Sequence, residues 1–109
     1  MAPPAPTSNA APSMDIVVLT RRGDELLKAG DIVPARQFYE RAALAGDAAA
    51  LCGMGKSYDP LYLRQLGAVG LLSSPATAMD WYRRAAAAGS EEARRRLAVL
   101  GARESGGEK

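Results

Sequence analysis

Ala35–Gly46 reads ARQFYERAALAG, and Ala78–Gly89 reads AMDWYRRAAAAG. The phrases are identical at seven of twelve positions and keep an aromatic ring at Phe38 and Trp81. Repetition at a fixed offset marks a chain assembled from similar units, each too small to bury its own apolar face. Such chains act by presenting a surface to a partner.

The spacing inside the phrases is helical. Ala35, Phe38, Tyr39, Ala42 and Ala43 recur in steps of three and four, as do Ala78, Trp81, Tyr82, Ala85 and Ala86, so each set shares one helix face. Working outward, three more helices are expected. One spans about Asp15 to Ala29, capped by Ser13 or Asp15, with Ile16, Leu19, Gly23, Leu26 and Leu27 on its stripe. The first phrase then extends from Ile32 to Ala45, with Asp31 as its expected cap. A third helix begins at Asp47, carries Ala50, Leu51, Met54, Gly55 and Tyr58, and stops at Asp59-Pro60, because the residue before proline avoids helical angles. The second phrase starts from the Ser74-Pro75 cap. A final helix follows Ser90, with Glu91 and Glu92 at the positive end of its dipole and Arg95 and Arg96 four residues on.

Short links (KAGD, LAGD, AAGS) make neighbouring helices antiparallel. The expected fold is all-α: a short α-solenoid of two antiparallel helix pairs plus a terminal capping helix, with an apolar insertion in the second repeat. Residues 1–13, rich in proline and alanine, are expected to be a disordered linker. Residues 14–103 form the helical repeat domain, and residues 104–109 a loose tail.

Composition agrees and excludes several classes. The chain has 109 residues, 48% hydrophobic but only 6% aromatic, a mixture suited to close-packed helices and poor for a sheet. Fourteen basic residues against twelve acidic ones leave a net charge of +2, with no strong pull toward nucleic acid or an anionic membrane. There is one cysteine and no histidine, so no intrachain disulfide forms and the usual neutral-pH acid/base is missing. No apolar run approaches the ~20 residues that cross a bilayer. Neither a cofactor nor a metal is expected, nor an enzymatic role.

Gly23, Leu26, Ala35, Tyr39 and Ala42, and again Gly55, Tyr58, Ala78, Tyr82 and Ala85, follow the small-and-large spacing of a tetratricopeptide helix pair. MGKSY followed by AMDWYRRAAAAGSEEA and RRRL resembles the Sel-one-like repeats, in which a Leu-Gly-x-x-Tyr helix leads to a Lys-Ala-x-x-Trp-Tyr-x-x-Ala-Ala helix. The resemblance covers about Asp15 to Leu100. It implies an α-solenoid scaffold that binds proteins or peptides, of the kind bacteria use in signalling or envelope complexes, in the cytoplasm or periplasm and as part of a larger protein. In such stacks the first helix of each pair lines a concave groove. That places Thr20, Asp24 and Lys28, then Cys52, Lys56 and Asp59, as partner-binding positions on the face opposite the packing stripe.

The inserted segment Leu61–Ser73, LYLRQLGAVGLLS, is too apolar for an ordinary loop. It either folds back to seal a short stack, or offers Leu61, Leu66, Leu71 and Leu72 to a partner helix or to a second copy of the chain. The expected partner is therefore a protein or peptide, with self-association open.

Other motifs have plainer readings. Ala50–Ser57, ALCGMGKS, fits a relaxed phosphate loop through Gly55-Lys56-Ser57. A working loop needs a preceding strand and a glycine-rich turn, whereas this stretch reads as helix. Arg83-Arg84 with Arg94-Arg95-Arg96 reads as a solvated, ion-paired face; docking to acidic protein, RNA or phospholipid is the alternative. Phe38, Tyr39, Trp81 and Tyr82 are expected in the core, and Cys52 as a small buried hydrophobe. Asp24/Glu25 and Glu91/Glu92 are adjacent in sequence and so diverge on a helix, which excludes them as acid/base pairs.

Overall fold

The computed structural model describes residues 13–68 and 73–106. Six helices and no strand occur among them: α1 (Met14–Lys28), α2 (Ile32–Ala43), α3 (Ala48–Tyr58), α4 (Pro60–Leu66), α5 (Pro75–Ala87) and α6 (Glu91–Gly106). The chain is all-α. Most of the expected linker, part of the expected tail, and Val69, Leu71 and Leu72 of the insertion lie outside the described residues.

The caps explain the boundaries. Ser13 Oγ accepts from the Ile16 amide at 3.2 Å and starts α1. Asp47 accepts from the Ala50 amide at 3.0 Å and starts α3; Ser74 starts α5 through the Thr77 amide at 3.3 Å. Ser90 Oγ accepts from the Ala93 amide at 3.0 Å. Asp31 stands at the start of α2 but makes no side-chain cap bond. The phrases end alike, at Gly46 with φ 79° and Gly89 with φ 108°, a left-handed backbone that only glycine adopts without strain. The last helix runs to Gly106, into the stretch expected to be loose. Along it Glu92 pairs with Arg96 as expected, but Glu91 pairs with Arg94 and not Arg95.

One element is new. The proline expected to stop α3 also opens α4. Asp59 is the shared junction: its carboxylate accepts from the Leu61 and Tyr62 amides at 2.8 and 3.3 Å, and Pro60 occupies the first turn, where its missing N–H costs nothing. The insertion is closed at its base, because the Ser74 amide donates to the Tyr58 carbonyl at 2.8 Å. Residues 59–68 thus branch away from the helix pair α3–α5 at Tyr58, and Ser74 stands back beside that same residue. Leu63 reaches the core, and Leu61, Tyr62 and Leu66 pack against it half-buried.

Helix α3 lies at the centre, packed against α1, α2, α4, α5 and α6. Its small residues permit this. A Cβ on Gly23 of α1 would fall 2.7 Å from the Tyr39 ring, and one on Gly53 of α3 would fall 2.4 Å from that same ring; on Gly55 it would fall 2.4 Å from the Tyr82 ring. Tyr39 and Tyr82, equivalent in the two phrases, are both fully buried. Their neighbours differ from expectation: Phe38 and Trp81 are only half-buried. A residue next to a core position on a helix is rotated by about 100°, which carries these rings to the edge of the stripe.

Candidate functional site

The six positions suggested on α1 and α3 do not form one open polar face. Thr20 is buried and donates to Asp47 Oδ2 at 2.9 Å. Since the same oxygen caps α3, Thr20 welds α1 to the start of α3. Asp24 is half-buried and accepts from the Tyr39 hydroxyl at 2.5 Å. Lys28 is exposed in the last turn of α1, where a cation suits the helix dipole. Cys52 is 2% exposed; burial first, then the Glu92 charge, push its thiol above the ordinary value, which opposes nucleophilic use. Asp59 is 2% exposed and accepts from the Tyr82 hydroxyl at 2.6 Å besides capping α4. Burial, reinforced by the bond to its aspartate, raises each of the two tyrosine hydroxyls well above its ordinary value.

Lys56 is half-buried, and its ammonium is tied. Its ammonium meets Glu92 Oε2 at 3.2 Å, and Arg96 Nε meets the same oxygen at 2.9 Å. The Tyr62 ring of α4 lies near both cations, 5.3 Å from Lys56 Nζ and 4.9 Å from the Arg96 guanidinium. Burial alone would raise the Glu92 carboxyl; the Arg96 hydrogen bond and the Lys56 charge outweigh it and hold that carboxyl below its ordinary value. This cluster clamps α4 to α3 and α6. A second clamp joins α2 to the end of α3: Arg36 donates to Ser57 Oγ at 3.1 Å and to its carbonyl at 2.6 Å, and lies over the Tyr58 ring at 3.6 Å. Burial lowers the Arg36 guanidinium despite the opposing Tyr58 and Glu40.

The Gly55-Lys56-Ser57 triplet sits inside α3. Gly55 is filled by Tyr82, Lys56 is ion-paired, and Ser57 Oγ donates to the Met54 carbonyl at 2.7 Å. No glycine-rich turn is present there to turn amides toward a phosphate. No group of residues able to hold a metal occurs among the described residues, and no described helix is long and apolar enough to cross a membrane.

Surface recesses open among the described residues, and two of them bear on the site. One, of about 350 Å³ between α4 and α6, is lined by Asp59, Leu61, Gln65, Arg95, Arg96 and Val99. It brings together Asp59 and Leu61 with Arg95 and Arg96 of the arginine run, and with Gln65 and Val99, which the sequence reading did not single out. Leu66 packs half-buried against the core, and Leu71 and Leu72 lie outside the described residues. The other recess, of about 460 Å³ between α2 and α5, includes Trp81. Periodicity gave no sign of either, because both depend on where α4 and α5 come to rest.

No protein-family model matches this chain, and neither the curated proteins nor the solved structures contain a match to it.

Proposed function

We propose that this chain is a protein–protein interaction module, a short α-solenoid that holds a segment of a partner protein in the cleft between α4 and α6. The observation that carries this reading is the insertion. It is clamped through Tyr62, Leu63 and Asp59, yet leaves half-buried Leu61 facing a recess shared with Val99, which is 58% exposed. An open recess of largely apolar character with a few directed polar groups is the usual form of a binding site. Arg95 is exposed on its wall and, among the described residues, makes no ion pair. An apolar side chain of the partner seats between Leu61 and Val99, and an acceptor beside it meets Arg95. The cleft supplies no chemistry: its lining carboxylate, Asp59, already accepts three hydrogen bonds.

Wild type and a Val99→Asp variant, used as baits, test this. Partner protein retained by wild type and lost by the variant, with helicity unchanged in circular dichroism, supports the cleft. Equal recovery by both, or recovery of nucleic acid alone, removes it. A mass that rises with concentration in light scattering, and falls back with Val99→Asp, would assign the cleft to a second copy of the chain.

A further inference from the structure

The matching phrases both pair an aromatic ring with an arginine. Arg41 follows Phe38 by three residues, and Arg84 follows Trp81 by three, a spacing that puts each pair on one side of its helix. The Arg84 guanidinium lies over the Trp81 ring at 4.3 Å. Trp81, Ala43 and Leu44 supply the apolar lining of the 460 Å³ recess between α2 and α5, and Glu40, Arg41 and Arg84 its charged lining. A smaller recess of about 180 Å³ is lined by Gln37, Phe38 and again Arg41, so the two adjoin at that arginine. Leu44 is 90% exposed.

The charge here is unbalanced. Arg83 is held by Asp80 at 2.7 Å and Arg94 by Glu91 at 3.7 Å. Among the described residues, neither Arg41 nor Arg84 has a carboxylate partner. Glu40 stands four residues after Arg36, and its charge acts on that guanidinium.

We propose that the α2–α5 groove binds a segment of a partner protein that combines acidic and aliphatic side chains. Its carboxylates take the two arginines in the two-pronged pairing that guanidinium groups favour. Its aliphatic side chains cover Leu44, Ala43 and the open face of Trp81. Stacking on the indole already fixes Arg84, which reduces the ordering cost of binding. Glu40 in the lining, and a net charge of only +2, count against a nucleic acid. This groove lies on different helices from the α4–α6 cleft, so either can fail without the other.

Trp81 is the chain's single tryptophan, and its emission reports this groove. The probe is a labelled synthetic peptide alternating glutamate with leucine. It is expected to shift Trp81 emission saturably, with an affinity that weakens as salt is raised. By anisotropy, Arg41→Glu/Arg84→Glu should weaken binding at least about tenfold, some 1.4 kcal/mol. Arg21→Glu/Arg94→Glu, with the same change in net charge, should leave it unaltered. Should the reversal variant lose helicity, Arg41→Gln/Arg84→Gln replaces it with the same expected direction. Equal binding of a lysine–leucine peptide, unchanged affinity in the arginine variants, displacement by a single-stranded oligonucleotide, or no binding overturns the proposal.

Discussion

Tyr39 and Tyr82 occupy matching places in two matching phrases, yet their surroundings differ in kind. Tyr39 is pressed between two glycines, Gly23 on α1 and Gly53 on α3, and its hydroxyl reaches a half-buried aspartate of its own helix pair. Tyr82 is pressed on Gly55. Forty-three residues on from Gly53, at the same offset that separates the phrases, stands Arg96, whose charge acts on Tyr82 while its guanidinium is held by Glu92. The Tyr82 hydroxyl ends on Asp59, the buried cap of the insertion. The first tyrosine is therefore held by packing and by one bond inside its own helix pair. The second joins packing to polar bonds that hold an added element. A repeated phrase sets the position of a side chain; its bonding is set by whatever the next stretch of chain supplies.

The sharpest way to break the comparison is to refill the crevices. Gly55→Ala places a methyl group 2.4 Å from a fully buried ring, closer than the 2.7 Å at Gly23, and overpacking of this kind costs roughly 3 kcal/mol. Gly23→Ala should cost less, roughly 1–2 kcal/mol. Gly101→Ala, where nothing lies within 4 Å, should stabilise α6 by about 0.5–1 kcal/mol. Urea unfolding followed by circular dichroism measures all three. Equal losses at Gly23 and Gly55 would mean that the rings move aside and that tight seating explains neither.

Asp59→Ala against Asp24→Ala separates polar bonding from packing. Removing Asp59 strips the α4 cap, about 1 kcal/mol, and leaves a buried hydroxyl unpaired, about 1–3 kcal/mol; a total of roughly 2–4 kcal/mol follows. Removing the half-buried Asp24 should cost nearer 1 kcal/mol. Loss of the α4 amide protection in hydrogen exchange should accompany Asp59→Ala only. Similar costs at the two sites would show that α4 is not held through its cap.

Much of this was legible from residue order. The five long helices, the glycine that ends each phrase and the Ser13, Asp47, Ser74 and Ser90 caps follow from local preference, which acts within a few residues. Placement of the helical glycines against rings was also readable, since a glycine inside a helix needs a packing reason. Helix α4 was hidden because Asp59-Pro60 carries two meanings at once, an end for α3 and a cap for the next helix. The expected groove residues misled for a different reason. Thr20, Cys52 and Asp59 are small or polar, but α3 is covered by five other helices, so no full polar face is left on it. Trp81 and Phe38 erred the other way: composition marks large rings as core, while their angle on the helix leaves them at its edge.

A further effect appears only at alkaline pH. Both buried tyrosines carry hydroxyls raised above the ordinary value of 10.0, first by burial and then by the bonded aspartate. With the folded value above the unfolded one, the stability these hydroxyls contribute is complete below pH 10 and drains away as the pH climbs past it, because only the unfolded chain releases the protons. Each such tyrosine adds about 1.4 kcal/mol of loss per pH unit in that window. Tyr39→Phe and Tyr82→Phe should each remove one such share from the slope of stability against pH, read by urea unfolding at several pH values above 10. If Tyr39→Phe left the slope untouched, the half-buried Asp24 would be letting water reach that hydroxyl, and the difference between the two helix pairs would extend from their bonds to their solvation.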